Sequence, residues 1–218
     1  MLDFIKENYF ITPIYFLEKK EWVDELNKYS DKYIKAAVDE NKKYFNNNKD
    51  FGFAHHSKPL SNDDDFNGFK KFICVNALNI LDEQGYDSSL YSLVISDLWV
   101  QEFSKEGGGN HNSHIHSNSH ISGFYFLKCS DKTSCPVFHE PRLNKKMIQL
   151  KEKDEKNVSN ASEKITIKPK PGLFIFFNSY LEHEFVVDHG IDPFRFIHFN
   201  LQAVPKQLIN NDIKRISS

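Results

Sequence analysis

From Leu90 to Val204 the apolar residues come in short runs, and almost every run ends at a Gly, Pro or Asn cluster. The runs are Leu90 to Phe103, Ile121 to Lys128, Pro136 to His139, Lys164 to Lys168, Leu173 to Phe177, His183 to Val187 and Phe194 to Val204. Chain punctuated this often cannot form long helices. Several short strands with regular turns predict a sandwich or barrel. The 20 phenylalanines and 9 tyrosines suit such strands, because aromatic side chains pack well on a pleated surface. The N-terminal third reads differently. Residues 8–17 form a strand broken by Pro13. Trp22, Leu26, Tyr29 and Tyr33 recur at steps of three or four and predict a helix over 20–45. Phe69, Phe72, Ile73, Asn76 and Ile80 predict a second helix over 66–84, with Gly85 at its end. The expected fold class is therefore mainly β with N-terminal helices (α+β). We expect one domain, 1–218, in which 1–89 is helical support and 90–205 the β core.

Two polar stretches interrupt this pattern. Residues 46–65 carry Asn46-Asn47-Asn48 and Asp63-Asp64-Asp65, with His55 and His56 read as a solvated pair. Residues 144–163 are charged and poor in apolar groups, as surface loops are. Both are candidate lids. The net charge of −2 supplies no phosphate-binding stripe, so a nucleic-acid partner is not expected. Cys74, Cys129 and Cys135 are odd in number and scattered, which argues against a disulfide framework and for a reducing compartment. Charges near the N-terminus break any signal-peptide run, and Leu173 to Phe177 is far too short to span a bilayer. A cytoplasmic protein without a membrane partner is the expectation, with a homodimer as the expected assembly.

The chemistry concentrates in Gly107-Gly108-Gly109-Asn110-His111-Asn112-Ser113-His114-Ile115-His116-Ser117-Asn118-Ser119-His120, which holds four of the ten histidines. In an extended segment His114 and His116, two apart, point to one side. Two imidazoles aimed at one point are half of a metal site, since neutral imidazole ligates iron, zinc, copper and nickel. The plainer reading is a polar loop that is rich in His. A second half lies downstream. Pro169-Lys170-Pro171-Gly172 turns into the strand Leu173 to Phe177, Asn178 to Glu182 turns again, and His183 opens the next strand. Arg195 follows twelve residues later among apolar neighbours, and by alternation it shares a face with Ile197 and Phe199. If that face is interior, a buried guanidinium needs an anion, and a carboxylate ligand would serve. Otherwise Arg195 reaches solvent or a structural Asp such as Asp192.

In this order and spacing the chain resembles the 2-oxoglutarate- and Fe(II)-dependent dioxygenase superfamily. It is most similar there to a prolyl-hydroxylase-like branch of oxygenases from bacteria and phages. The resemblance rests on Gly108-Gly109-Asn110-His111-Asn112-Ser113-His114-Ile115-His116, on Ser122-Gly123-Phe124-Tyr125-Phe126-Leu127, on Glu140-Pro141-Arg142, and on His183 through Arg195 to Phe199-Asn200. It covers about residues 95–203. The resemblance implies a double-stranded β-helix, a cupin-like jelly-roll barrel with the metal in its mouth. It implies Fe(II) on His114, His116 and His183, and 2-oxoglutarate as co-substrate with its distal carboxylate on Arg195. Tyr125 would lend a hydroxyl to the co-substrate or pack in the core. O2 would be the oxidant, succinate and CO2 would be released, and a C–H bond of a peptidyl (prolyl-like) or small-molecule substrate would be hydroxylated. No catalytic residue beyond the metal centre is implied.

The superfamily's usual second ligand is a carboxylate, and here that position is His116. No Asp or Glu occurs between 107 and 120. His116 can ligate, can donate from behind the ligands, or can be replaced by His111 or His120; the spacing favours His116. His139, His189 and His198 are read as non-ligands. Two alternatives belong to other classes. One is a cupin-type dioxygenase that needs no 2-oxoglutarate, with three or four His ligands; Gly108 lies six residues before His114 as such a motif requires, but the expected Glu after His116 is missing. The other is a non-enzymatic metal-binding jelly roll, in which Arg195 would have no purpose.

Overall fold

The computed structural model describes residues 5–46, 49–148 and 150–209; residues 47, 48 and 149 of the two expected loops lie outside the described residues. In chain order the elements are β1 (Ile14–Glu18), α1 (Val23–Phe45), β2 (Ala54–His56), α2 (Asn67–Glu83), β3 (Tyr91–Phe103), β4 (His111–His114), β5 (Ile121–Lys128), β6 (Pro136–His139), β7 (Lys164–Thr166), β8 (Leu173–Asn178), β9 (His183–Phe185) and β10 (Arg195–Pro205). A larger sheet has the order β1-β8-β5-β10-β3-β2 and a smaller one β4-β9-β6-β7, and every pairing is antiparallel. Two helices followed by two facing antiparallel sheets form the expected double-stranded β-helix.

The large sheet is buried on both faces, which is why its strands read as nearly continuous apolar runs rather than alternating ones. One face meets the small sheet. Phe124, Phe126, Ile175, Phe177, Phe194 and Phe196 meet Phe138 and Phe185 there. The other face meets the helices, where Tyr125, Leu127, Phe174, Phe176, Ile197 and Phe199 pack on Leu26, Ile34, Phe69, Ile73 and Ala77. The helical stripe follows from spacing, with Leu26, Ser30, Ile34 and Ala37 inward on α1. Each buried Phe contributes about 1.5–3 kcal/mol. Gly123 lets β5 lie close to its neighbours, because a Cβ there would come 2.3 Å from Phe199 Cζ and 2.4 Å from the Ile175 carbonyl oxygen.

The stretch 46–65 is less free than its polarity suggests. Its β2 pairs with β3, and the Ser57 and Leu60 amides donate to the Val100 and Leu98 carbonyls at 3.0 and 2.8 Å. His55, expected in solvent, is buried between Asn41 and Asp50. A ring nitrogen paired with a carboxylate satisfies that burial. His56 is exposed and packs on Trp99.

Arg195 lies on the helix-facing side of β10 and is 4% exposed. Its Nε donates to Glu102 Oε2 at 2.7 Å, and its Nη1 donates to Asp31 Oδ1 at 2.6 Å. Glu102 is itself 5% exposed, so the pair is a desolvated ion pair rather than a surface one. Removing the guanidinium leaves buried Glu102 with only the Lys128 ammonium, 3.9 Å from its Oε2. Arg195→Ala is expected to lower stability by about 3–5 kcal/mol in urea unfolding; a loss within about 0.5 kcal/mol would mean the pair does not brace the sheet.

Candidate metal centre

Strand β4 is four residues long and pairs with β9, which puts His114 directly opposite His183. The glycine turn before it is held at its far side. Gly108 donates to the Asp188 carbonyl and Asp188 donates back to the Gly109 carbonyl, each at 2.8 Å. Gly107 and Gly108 have φ of +91° and +83°, a backbone that L side chains rarely adopt. A Cβ on Gly107 would also come 2.9 Å from the His189 carbonyl oxygen. Beyond β4, the His116 amide donates to the Ser179 carbonyl at 3.0 Å, which draws the segment over the start of β9.

The result is convergence. His114, His116 and His183 each offer a ring nitrogen, and these atoms all lie within 4.8 Å of one another. His116 Nε2 and His183 Nε2 are 3.2 Å apart. Two ligands held at about 2.1 Å from one ion, at roughly right angles, stand about 3 Å apart, so the donor set fits a metal. His114 and His183 are braced alike. The Nδ1–H of His114 donates to the Asn112 carbonyl at 2.7 Å and that of His183 to the Leu181 carbonyl at 2.9 Å. Each leaves Nε2 as the lone-pair nitrogen aimed inward, which is how ligating histidines are oriented.

His116 differs. Its Nδ1 faces Asn200 Nδ2 at 3.3 Å. That amide is set by its other contacts, because Oδ1 accepts from Ser122 Oγ at 2.7 Å and Nδ2 donates to Asp97 Oδ2 at 3.2 Å. In this setting His116 Nδ1 accepts and its proton is on Nε2. Ligation through Nε2 puts the proton on Nδ1, and for Asn200 to accept it the amide must turn over and give up its hydrogen bond to Asp97. Ser122 can follow, since its Oγ also lies 2.7 Å from Ser179 Oγ.

The other expected residues are placed apart from this point. His111 pairs with Gln101, and its ring is 5.9 Å from that of His114. His120 Nδ1 accepts from the Ala203 amide at 3.1 Å, and His189 is exposed. Arg195 was expected to clamp a carboxylate in the barrel; it lies instead on the opposite face of β10, spent on Glu102 and Asp31. The physical reason is strand parity. Phe194, Phe196 and His198 take the inward positions, so Arg195, Ile197 and Phe199 face the helices. Tyr125 is on that same outer face, its hydroxyl donating to the Lys19 carbonyl at 2.6 Å and its ring packed on Phe174. His198 is the residue that sequence reasoning set aside. It is inward, buried, and its Nε2 lies 3.2 Å from His116 Nε2. The signal for it was alternation from Phe196, but both faces of β10 are apolar, so alternation alone did not say which one is inside.

Burial governs the electrostatics. It pushes the His111 and His116 imidazoles down to about 4 and that of His183 down to about 3, with neighbouring imidazoles adding to the effect. His198 is driven well below its usual value by burial first and by His116 and His183 next. All four are neutral at pH 7, the form that ligates.

Residues 97–200 match the family model described as "Putative 2OG-Fe(II) oxygenase". Over that segment, a little under half of its length, the chain is similar to the 2OG-Fe(II) oxygenase family. No curated protein matches it. Among solved structures it is similar to AviO1 from Streptomyces viridochromogenes, at 9% identity and TM-score 0.56 over 88% of this chain and 90% of that one. It is also similar to the viral collagen prolyl hydroxylase of Paramecium Bursaria Chlorella virus-1 in its 2OG complex, at 10% identity and TM-score 0.51 over 87% and 96%. The chain spans 56% of an oxidoreductase of the 2OG-Fe(II) oxygenase family from Burkholderia pseudomallei, over 57% of its own length at 11% identity; that TM-score is 0.38, too low to bear on the fold. The first two likenesses show a shared fold. The family implies Fe(II) and 2-oxoglutarate, and the group His114, His116 and His183 is able to bind the iron. Among the described residues no helix is long and apolar enough to cross a membrane.

The depressed imidazoles set a pH dependence. In the unfolded chain they take up protons near pH 6.5; in the folded protein they do so only near 3 to 4. Between those limits the unfolded state binds more protons, so stability rises with pH up to about 6.5 and is flat above it. Metal-free protein is expected to lose stability steadily as pH falls from 6.5 to 4. A flat urea midpoint across that window would contradict the burial of these rings.

Proposed function

We propose that this chain is a single-domain hydroxylase, 1–218, acting on a C–H bond of a peptidyl (prolyl-like) or small-molecule substrate and releasing succinate and CO2. The observation that carries the reading is the convergence of His114, His116 and His183 on one point at the mouth of the barrel. In this reading His114 and His183 hold Fe(II) as they stand, and His116 joins them once the Asn200 amide turns. When bound, the iron and co-substrate supply the oxidising chemistry; the protein supplies orientation and a dry wall. Phe124, Phe138 and Phe177 pack around His183, with ring centroids 5.6, 5.8 and 4.8 Å away. An apolar shell of this kind limits solvent access to a metal.

The fit to 2-oxoglutarate is partial. Three imidazoles on one side of an ion leave room for a chelating 2-oxo acid. Among the described residues, however, Arg195 is the one buried Lys or Arg, and it is paired with Glu102 and Asp31. The role expected of Arg195 therefore has no support from its position, and Tyr125 likewise faces away.

For the substrate, a cavity of about 350 Å³ borders His116, lined by Leu78, Leu81, Tyr86, Ile115, Tyr180 and Ala203 among others. None of its lining residues is Asp, Glu, Lys or Arg. Such a site suits an uncharged, largely apolar group presenting its C–H bond to the metal. That favours a small molecule or an apolar side chain over a free amino acid with both charges. The reading is tested by incubating Fe(II)-loaded protein with 2-oxoglutarate in air and measuring succinate. Slow formation by the wild type and none by His183→Ala is expected. No succinate from the wild type, or equal amounts from both, would overturn it.

A further inference from the structure

We propose that His198 is a fourth imidazole of the metal centre, one that occupies a coordination position in the resting protein and yields it when a chelating ligand binds. This rests on the metal reading of His114, His116 and His183 and goes beyond it.

The first ground is spacing. His198 Nε2 is 3.2 Å from His116 Nε2, the same separation as between His116 Nε2 and His183 Nε2. Each distance suits a pair of neighbouring ligands on one ion; His198 stands outside the group of three whose ligand atoms all lie within 4.8 Å of one another, so its ring must shift to join them. The rings of His116 and His198 have centroids 4.6 Å apart, close to the 5.0 Å between those of His116 and His183. His116 thus has an imidazole on each side at ligand spacing.

The second ground is hydrogen bonding. His198 is 3% exposed, and its Nδ1 is buried without any partner. A neutral imidazole carries one N–H and one lone pair. If the proton is on Nε2, it points at His116 and Nδ1 is an unused lone pair. If the proton is on Nδ1, a buried N–H goes unpaired, which is the rarer and costlier arrangement. Without a metal the first tautomer is therefore favoured; a cation can draw the lone pair to Nε2, but at the cost of an unpaired buried Nδ1–H, which makes His198 a weak ligand. The proton on His116 Nε2 has a neighbouring Nε2 at 3.2 Å on each side and can serve only one of them at a time. A divalent ion in its place can take the lone pair of each Nε2 that reaches it.

The third ground is positioning without bracing. Trp99 stacks on His198 with ring planes 2° apart and centroids at 4.4 Å, which holds the ring plane in place. His114 and His183, by contrast, have their Nδ1–H groups tied to backbone carbonyls. Partners of that kind are worth about 10–100-fold in metal affinity. His198 lacks one and is the least supported of the four. Counting positions gives that weakness a use. An octahedral ion with four imidazoles has two positions left, and a chelating 2-oxo acid fills both. A position for O2 opens only if one imidazole leaves, and His198 is the one least held.

The test uses full-length protein loaded with Cu(II) and pulsed electron paramagnetic resonance, which counts coordinated imidazoles through their remote nitrogens. The expected count is four in the wild type, falling to three with saturating 2-oxoglutarate. His198→Gln, which keeps the ring's volume and a polar end, is expected to show three under both conditions and about tenfold weaker Fe(II) binding. Three imidazoles in the wild type, or four in His198→Gln, would overturn the assignment and leave the three-histidine centre standing. A count of four that persists with 2-oxoglutarate would overturn the exchange. A wild-type protein that binds neither Cu(II) nor Fe(II) would overturn the metal reading itself, and this proposal with it.

Discussion

The pairing of two short strands determines whether there is a site at all. Strand β4 meets β9 so that His114 lies across from His183, and every other feature of the centre hangs from that register. A slip of one residue would turn one imidazole to the opposite face, because the side-chain period of a strand is two. The register is held from outside the strands. The glycine turn locks onto Asp188 through reciprocal backbone hydrogen bonds, and the His116 amide locks onto the turn after β8. The glycines before the histidines thus have a mechanical role: they permit a backbone path that delivers β4 to the small sheet at one height.

The large sheet works as a partition. Its outer face is fastened to the helices by apolar packing and by the Arg195–Asp31 pair, and its inner face is a wall of phenylalanine ending at the histidines. This separation of tasks explains why a buried cation can be adjacent in sequence to the site yet have no part in it. It also gives the site its character. Imidazoles without a carboxylate among them leave a bound divalent ion with its full charge, which favours anionic partners. Attraction to a 2-oxo acid then comes from the metal itself.

Much of this was legible in the chain. The two helices fall within a few residues of their periodic stripes, α1 at Val23–Phe45 and α2 at Asn67–Glu83, because a one-sided helix declares its face. The strands Ile121–Lys128 and Pro136–His139 begin and end at their turn residues. Spacing singled out His114, His116 and His183, and the fold brings those three rings together. What the chain did not reveal follows from one cause. In a sheet buried on both sides, parity sorts residues into two groups without saying which is inside. Arg195 with Ile197 and Phe199 was one group, and Phe196 with His198 the other; only the packing of α1 and α2 decides between them. His55 was misread for a related reason, since polarity in its own loop conceals the Asn41 and Asp50 side chains that surround it.

The central claim is that these histidines bind Fe(II) and leave it open to a chelating 2-oxo acid. The most direct measurement is an anaerobic titration of Fe(II)-loaded protein with 2-oxoglutarate, followed by visible absorption. A saturable metal-to-ligand charge-transfer band, absent from His114→Ala, is the result this account requires. Fe(II) bound tightly with no band at any 2-oxoglutarate concentration would contradict it, and would point to a metal centre of the cupin kind that does not use the keto acid.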